Sequence, residues 1–188
     1  MLGFAFDLNL QKAEILTTYC GVNLDEAWMS YMQKQSLTHT LDFKQRVVNM
    51  GIQMLSSLEK LHAVGFVHQD IKLDNICVKD DNYYLIDFGY AHRLEPTSSQ
   101  KKKKEFKGNS MFSSHRKFYN SDVMNPYDDI ESLLYLLCYC LCGFWLPWLH
   151  DYFNQRTANE FFTKRITNCH QNNQMLYNLM PPHMVKAL

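Results

Sequence analysis

The chain has 188 residues, 46% of them apolar, and its 19 basic residues balance 19 acidic ones. That length can bury one sizeable core, so a single domain is the default expectation. A formal net charge of zero gives no support for a nucleic-acid or membrane-surface partner, because those surfaces attract strongly basic proteins. The N-terminus has no basic region followed by an apolar run, as a secretory signal would. We therefore expect an intracellular protein, cytoplasmic or nuclear.

The cysteines and the longest apolar run are both interpreted as core. The cysteines stand at positions 20, 77, 138, 140, 142 and 169. They form no C-x-x-C pair, so buried reduced thiols are expected rather than a zinc site. The run from Ile130 to Leu149 contains Glu131, and Gly143 and Pro147 interrupt it before it reaches a membrane-spanning length. A buried core helix is the better interpretation.

The first elements are a hairpin and a short helix. The apolar runs Phe4–Leu8 and Ala13–Thr18 flank a polar turn, which predicts a β-hairpin. Gly21 ends the second strand, and Asn23 is suited to cap the helix that follows. The apolar face of that helix carries Leu24, Trp28, Tyr31 and Met32.

A long amphipathic helix is predicted from Asp42 to Ala63, with Gly65 as its stop. Its apolar residues recur at spacings of three and four, at Phe43, Val47, Met50, Met54, Leu58 and Leu61. Brief strands then follow, joined by polar turns, at Phe66–Val67, Asn75–Val78 and Tyr83–Ile86.

The second half of the chain is predicted to be mainly helical. Residues 91–126 look irregular and polar, with Lys101–Lys104 as a charge run. Asp128 opens the apolar helix, and weaker helical patterns follow at 155–167 and 173–187. The expected fold class is therefore α+β, a mostly helical lobe with a little sheet.

The segment from His68 to Asn75 has the spacing of a phosphotransferase loop. An aspartate at 70, a lysine two residues on and an asparagine five residues on can respectively take a proton from a hydroxyl, steady a phosphate and hold magnesium. A D-F-G motif begins at Asp87, which would hold the metal that bridges a nucleotide's phosphates. These could be ordinary turn residues, but their joint spacing favours a kinase-derived site. The sequence contains no G-x-G-x-x-G and no V-A-I-K-like strand.

The order of these elements resembles the C-terminal lobe of a eukaryotic protein kinase, and most closely the casein kinase 1 group. The vaccinia-related kinases share much of the same pattern. The segments that carry the resemblance are 19–26 (YCGVNLDE), 107–114 (KGNSMFSS), 128–133 (DDIESL) and 143–148 (GFWLPW). The resemblance implies a partial kinase domain over residues 1–188. Residues 1–18 would be a remnant of the N-terminal lobe, 19–22 the hinge, and 23–188 a C-terminal lobe that is incomplete at its end.

The resemblance also implies roles for individual residues. Asp70 would be the catalytic base, with its carboxylate facing the open site, and Lys72 the phosphate-steadying cation. Asn75 and Asp87 would be magnesium ligands. In the nucleotide pocket, backbone groups of Thr18 and Cys20 would bond the adenine edge of ATP, with Cys77 as the floor. Asp129 would brace the catalytic loop by accepting backbone hydrogen bonds, and His68 would stack with Phe88.

Three residues depart from the family pattern. Gln69 replaces an arginine, so a phosphorylated loop has no arginine there to dock on, and any activity should not need that phosphorylation. Asn109 replaces a threonine that helps to hold the catalytic aspartate and lysine. Met111 replaces an arginine that helps to bind a phosphate already present on the substrate.

Two functions are compatible with the sequence. The first is a casein kinase 1-like serine/threonine kinase domain that uses ATP and Mg²⁺, inactive as these 188 residues alone because the phosphate loop and strand lysine are missing. The second is a pseudokinase-type module that binds a partner protein without catalysis. Lys101–Lys104 is interpreted as a solvated loop tip, with attraction of acidic protein substrates as the alternative. We also expect an unfilled upper face that a missing N-terminal lobe or a partner protein would cover.

Overall fold

The computed structural model describes residues 3–7, 12–94, 108–119, 125–154 and 158–168, and residues 171, 172, 174, 175 and 178 beyond them. The strands are β1 (Gly3–Asp7), β2 (Lys12–Leu16), β3 (Val22–Asn23), β4 (Phe66–Val67), β5 (Ile76–Lys79), β6 (Asn82–Leu85) and β7 (His92–Arg93). The helices are α1 (Leu24–Ala27), α2 (Met29–Gln33), α3 (Leu41–Ala63), α4 (His115–Tyr119), α5 (Pro126–Leu141), α6 (Leu149–Asn154) and α7 (Ala158–Thr167). Single 3₁₀ turns lie at Gln35–His39, Leu73–Asn75 and Phe88–Tyr90. The α+β prediction is confirmed.

The sheets in the described residues are small and antiparallel. β1 pairs with β2, which confirms the predicted hairpin, although its turn at residues 8–11 lies outside the described residues. β5 is the middle strand of a sheet with β3 and β6, and β4 pairs with β7. β4 has the predicted bounds, whereas β5 starts one residue later than predicted and β6 one residue earlier.

The long helix α3 follows the prediction closely. It begins at Leu41, where the Thr40 hydroxyl accepts a hydrogen bond from the backbone N–H of Phe43 at 3.3 Å. It ends before Gly65, whose φ of +81° is a left-handed conformation that favours glycine. The predicted apolar face is buried at Phe43, Val47, Met50, Met54 and Leu58, and Leu61 packs against it.

The helix α5 crosses α3 in the core. It starts at Pro126 behind an Asn125 cap, two residues before the predicted start at Asp128. Gly51 on α3 allows the two helices to approach, because a Cβ there would lie 3.1 Å from the side chain of Leu137. No helix of the described ranges is both long and apolar enough to cross a membrane.

The cysteines in the described residues are all free thiols. Cys77, Cys138 and Cys140 are buried, as predicted, whereas Cys20 and Cys142 are half-buried, and position 169 lies outside the described residues. Burial raises the pKa of the Cys138 thiol to about 12.

Four features differ from the sequence-based expectation. Trp28 divides the first predicted helix into α1 and α2, because its backbone leaves the helical region while its side chain stays 3% exposed in the core. The strand β7 and the helices α4 and α6 were not predicted, since elements this short show no periodicity. The helix α7 lies within the predicted 155–167 pattern, whereas Lys101–Lys104 and most of 173–187 lie outside the described residues.

Polar side chains of α3 hold the turn between β5 and β6. Gln53 Nε2 donates to the carbonyl of Asp81 at 3.1 Å, and its Oε1 accepts from the backbone N–H of Tyr83 at 2.9 Å. Arg46 Nη1 lies 3.4 Å from the Asp81 carboxylate. The hairpin that leads to Asp87 is therefore fixed to the core helix by several side chains, of which Gln53 bonds both sides of the turn.

We expect Gln53→Ala to lower the free energy of unfolding by about 1–3 kcal/mol, because it leaves a half-buried backbone N–H without its acceptor. Glu59→Ala is the matched control, since Glu59 is exposed on the same helix and should change stability by less than about 0.5 kcal/mol. Urea denaturation followed by circular dichroism measures both. Equal effects of the two substitutions would show that the Gln53 contacts contribute nothing beyond helix propensity.

Candidate active site

The segment from His68 to Asn75 links β4 to β5 and is mostly buried, with Asp74 exposed. Its side chains are 0% exposed at His68, 3% at Asp70 and 4% at Asn75. The 3₁₀ turn at Leu73–Asn75 reverses the chain, which returns Asn75 to the side of Asp70. A segment with so many buried polar groups has to satisfy them internally.

The three predicted catalytic residues meet at the carboxylate of Asp70. Asn75 Nδ2 donates to Asp70 Oδ2 at 2.8 Å and to the backbone carbonyl of Asp70 at 2.9 Å. Lys72 Nζ lies 3.4 Å from the same Oδ2. The amide fixes the aspartate's rotamer, and the ammonium supplies positive charge beside it. This arrangement can hold a carboxylate ready to accept a proton while a cation stands next to it.

Asp70 is more enclosed than the sequence suggested. We expected its carboxylate to face the open site, but its side chain is only 4% exposed. Gly108 lies close by, since a Cβ there would lie 3.6 Å from Asp70 Oδ1 and 2.3 Å from the carbonyl oxygen of Gln69. Only a residue without a side chain permits this approach. The segment that begins at Gly108 therefore lies directly against the candidate base.

Asp129 braces the loop, as the resemblance implied. Its carboxylate accepts from the backbone N–H of His68 at 2.7 Å and of Gln69 at 2.8 Å. It is 0% exposed and also lies 2.9 Å from Nε2 of His62 on α3. Because a carboxylate only accepts hydrogen bonds, Nε2 of His62 carries the proton. The contribution of His62 gave no signal in the sequence.

His68 connects the loop to the D-F-G segment. Its Nε2 lies 3.0 Å from the carbonyl of Ile86, and its Nδ1 accepts from the backbone N–H of Asp70 at 3.3 Å. A neutral ring with its proton on Nε2 satisfies both contacts, and burial lowers the pKa of His68, which keeps the ring neutral. The ring packs edge-on against Phe88 at 5.1 Å between centroids, which confirms the expected stacking.

Asp87 and Asn75 supply oxygen donors of the kind that hard cations prefer. Asp87 is exposed with a left-handed φ of 60°, and its Oδ1 accepts from the backbone N–H of Gly89 at 3.1 Å. The residue before it, Ile86, donates its N–H to the carbonyl of Asn75 at 2.9 Å, so the two candidate ligands stand on adjacent, bonded segments. One carboxylate and one amide oxygen suit Mg²⁺, which normally keeps several water or phosphate ligands. The described residues contain no cluster of three or more histidine, cysteine or acidic side chains suited to a metal.

The predicted adenine-contact residues lie on the sheet of β3, β5 and β6 and in the segment that leads into it. Thr18 is exposed and Cys20 half-buried, in the irregular segment between β2 and β3, and the Cys20 thiol donates to the carbonyl of Thr18 at 3.3 Å. Cys77 is 7% exposed on β5, next to β3 in the sheet. Burial raises the pKa of Cys77, which is therefore an apolar thiol at neutral pH.

Gln69, the first residue that departs from the family pattern, makes contacts that the structure shows directly. Gln69 adopts a φ of 70°, and its carbonyl accepts from Nζ of Lys117 at 3.4 Å. Burial lowers the pKa of this lysine, while the carboxylates of Asp128 and Asp129 oppose that shift. Lys117 thus places a cation against the backbone of Gln69, a role that the sequence did not reveal.

Asn109 and Met111 do not reproduce the contacts of the residues they replace. Asn109 Oδ1 accepts from the backbone N–H groups of Met111 at 2.8 Å and Phe112 at 3.3 Å, so it caps its own turn. Met111 is 9% exposed and belongs to the core cluster. A buried thioether offers no anion site.

Residues 10–182 match the family model of the protein kinase domain. The chain belongs to the protein kinase family. It is also similar to a probable serine/threonine-protein kinase of Dictyostelium discoideum, with 31% identity over 152 residues that cover 76% of this chain. The same match covers 28% of the Dictyostelium protein, so the chain spans little more than a quarter of that relative's length.

Membership of the protein kinase family confirms the fold that the motifs indicated. Protein kinases carry an aspartate and an asparagine on the catalytic loop and a D-F-G aspartate that binds metal. In this chain the corresponding positions are Asp70, Asn75 and Asp87. The chain has helices and small antiparallel sheets in the proportions of a kinase-like fold dominated by its helical lobe.

We expect Asp129→Ala to destabilise the kinase lobe by about 3 kcal/mol or more, because it leaves two buried N–H donors and the His62 ring without their acceptor. Asp70→Asn should lower stability by less than about 1 kcal/mol, since the isosteric amide can still accept from Asn75. Thermal and urea unfolding of both variants measure the two losses of stability. Similar losses would contradict the bracing role of Asp129.

Gly108→Ala tests the close approach between the two loops. Gly65→Ala is its control, because both glycines have positive φ but a Cβ at Gly65 would meet no atom within 4 Å. The control should lose about 1–2 kcal/mol from backbone strain alone. Gly108→Ala should lose at least about 1 kcal/mol more, because its Cβ overlaps the Gln69 carbonyl. Equal urea midpoints would mean that the loops can separate without penalty.

Proposed function

We propose that this chain is the catalytic-lobe part of a casein kinase 1-type serine/threonine protein kinase, which transfers the γ-phosphoryl group of ATP to a protein hydroxyl. The observation that carries the proposal is the interlocked contact of Asp70 with Asn75 and Lys72. A binding module without chemistry would have no need for a buried carboxylate held between an amide and an ammonium. Burial of a charge is unfavourable unless it is paired, so the arrangement implies a use.

Each residue of the proposed site has a separate task. Asp70 accepts the proton of the attacking hydroxyl, and the amide of Asn75 fixes the orientation in which it does so. Lys72, 27% exposed at its side chain, can turn from the carboxylate toward the transferred phosphate. Asp87 and the amide oxygen of Asn75 would hold Mg²⁺, which when bound neutralises phosphate charge. Thr18, Cys20 and Cys77 would line the adenine site.

The narrower assignment to the casein kinase 1 group rests on sequence segments and on two contacts. Gly108 lies against the catalytic loop at the start of the segment that resembles the group's substrate-facing loop. The cation of Lys117 already contacts the carbonyl of Gln69, where other kinases have an arginine that receives a phosphate. Both support a catalytic loop that is ordered without phosphorylation of a neighbouring segment.

We further propose that residues 1–18 belong to an upper lobe, 19–22 to the hinge and 23–188 to the helical lobe. Exposed aromatic side chains support an additional polypeptide at this boundary. Tyr19 is 68% exposed, Phe88 52% and Tyr84 40%. Phe88, Tyr84 and Cys20 border a pocket of about 390 Å³. The same surface favours the second candidate function, a module that binds a partner protein without catalysis.

The test is incorporation of radiolabelled phosphate into dephosphorylated casein with ATP and Mg²⁺. The 188 residues by themselves should turn over far below the roughly 1–100 s⁻¹ typical of kinases, because their sequence contains no G-x-G-x-x-G to cover the phosphates. Supplying an upper lobe, fused or in trans, should raise incorporation, and Asp70→Asn should abolish it.

Two outcomes would contradict the kinase proposal. One is incorporation that survives Asp70→Asn, which would trace the signal to another protein. The other is a completed protein that binds ADP and Mg²⁺ but transfers no phosphate, in which case the binding module is the better function. Loss of Mg²⁺-dependent nucleotide binding in Asp87→Asn checks the metal assignment separately.

A further inference from the structure

A buried arginine lies beneath the segment that follows Gly108. Arg165 is on α7 and is 4% exposed. Its Nη1 donates to the carbonyl of Met111 at 3.5 Å and its Nη2 to the carbonyl of Ser113 at 3.3 Å. The indole N–H of Trp148 donates to the same Met111 carbonyl at 2.8 Å. Arg165 and Trp148 therefore bind the backbone carbonyls of residues 111 and 113 in one irregular segment.

Aromatic rings enclose the guanidinium. Its carbon lies 3.5 Å from the ring centroid of Trp148, 4.9 Å from that of Tyr135 and 5.3 Å from that of Phe118. A planar guanidinium stacks on aromatic faces and directs several N–H donors in its own plane, which an ammonium cannot do. The environment is thus specific for arginine.

One of these rings, that of Tyr135, is linked to the same segment through Glu131. Tyr135 donates its hydroxyl to Glu131 Oε1 at 2.6 Å, and the same oxygen accepts from the backbone N–H of His115 at 2.8 Å. Trp148 packs edge-on against Tyr135 at 5.1 Å. Arg165, Trp148 and Glu131 together bind the backbone at residues 111, 113 and 115.

The opposite end of this segment is tied to the catalytic loop. Gly108 lies against the carbonyl of Gln69, and Asn109 binds the N–H groups of Met111 and Phe112. The backbone from Gly108 to Ser113 therefore contacts the catalytic loop at one end and Arg165 at the other. Because the segment is short and bound at both ends, a displacement of the backbone at one end displaces the backbone at the other.

We propose that Arg165 is the positioning residue for segment 111–114, and that it sets where a protein substrate can lie relative to Asp70. The effect on substrate rests on the proposed function, whereas the effect on the segment does not. Loss of Arg165 releases the carbonyl of Ser113 and leaves that of Met111 held by Trp148 alone, which loosens the segment while the α3–α5 core stays intact. Protein-substrate binding then weakens and nucleotide binding does not.

The first experiment is hydrogen exchange of the full chain, followed by mass spectrometry, for Arg165→Met and Arg165→Lys. Lys164→Met is the control, because Lys164 is adjacent on α7 and half-exposed, and its ion pair with Asp151 at 3.2 Å is remote from the segment. Arg165→Met should speed exchange in peptides that cover 111–119 by roughly tenfold or more, the factor expected for one lost charge-assisted hydrogen bond. Arg165→Lys should restore part of the protection, because its charge is kept but its fork is lost.

Exchange within α5 separates positioning from general stability. It should be unchanged in both Arg165 variants and in the control. Unchanged exchange at 111–119 would overturn the proposal. Equal acceleration in α5 would also overturn it, because Arg165 would then be an ordinary contributor to the core.

The second experiment measures binding of fluorescently labelled, dephosphorylated casein, and of ADP with Mg²⁺, to the same four proteins. Arg165→Met should weaken casein binding by roughly tenfold and leave nucleotide binding unchanged, with Lys164→Met as wild type. Equal weakening of both ligands would overturn the substrate part of the proposal. If the unmodified chain binds neither ligand even when an upper lobe is supplied, the proposed function fails, and the exchange result still decides the role of Arg165.

Discussion

The carboxylate of Asp129 lies where three parts of the chain meet, and the geometry of the candidate site depends on it. It stands on the first turn of α5, receives two consecutive N–H groups of the catalytic loop, and contacts His62 near the end of α3. A loop without regular structure has no helix or sheet hydrogen bonds for its backbone N–H groups, so it needs an acceptor such as Asp129 from elsewhere in the chain. The position of Asp70 is therefore set by the packing of α3 and α5 together with the loop's own contacts from Asn75 and His68.

The left-handed conformation of Gln69 is a consequence of this bracing, whereas that of Asp87 belongs to a local turn. Positive φ is unfavourable for residues other than glycine, and it persists only where the surroundings determine it. At Gln69 the N–H is bound by Asp129 and the carbonyl by Lys117, so both peptide groups are held. At Asp87 the side chain closes a short turn on Gly89. Each of these two residues is the chain neighbour of one member of the ring pair His68 and Phe88.

Local and periodic features could be predicted from the sequence, and tertiary contacts could not. The periodicity of α3, the strand β4 and the cap at Asn23 each follow from residues near one another in the chain, and all are observed. The joint spacing of Asp70, Lys72 and Asn75 likewise indicated a site that the fold brings together. The burial of Asp70 was missed because residues near it, such as Gly108, are distant in the sequence. His62, Lys117 and Arg165 were missed because each acts on residues more than forty positions away.

The two cysteines of α5, Cys138 and Cys140, have thiols of low reactivity because they are buried. With the pKa of Cys138 raised to about 12, only about one molecule in 10⁵ carries the reactive thiolate at pH 7. Cys140 is fully enclosed, and burial raises its pKa as well. Alkylating reagents and peroxide can therefore reach these sulfurs only when the core around α5 opens. Their labelling rate reports how often the core opens, and in the closed protein the helix that carries Asp129 is protected from oxidative damage.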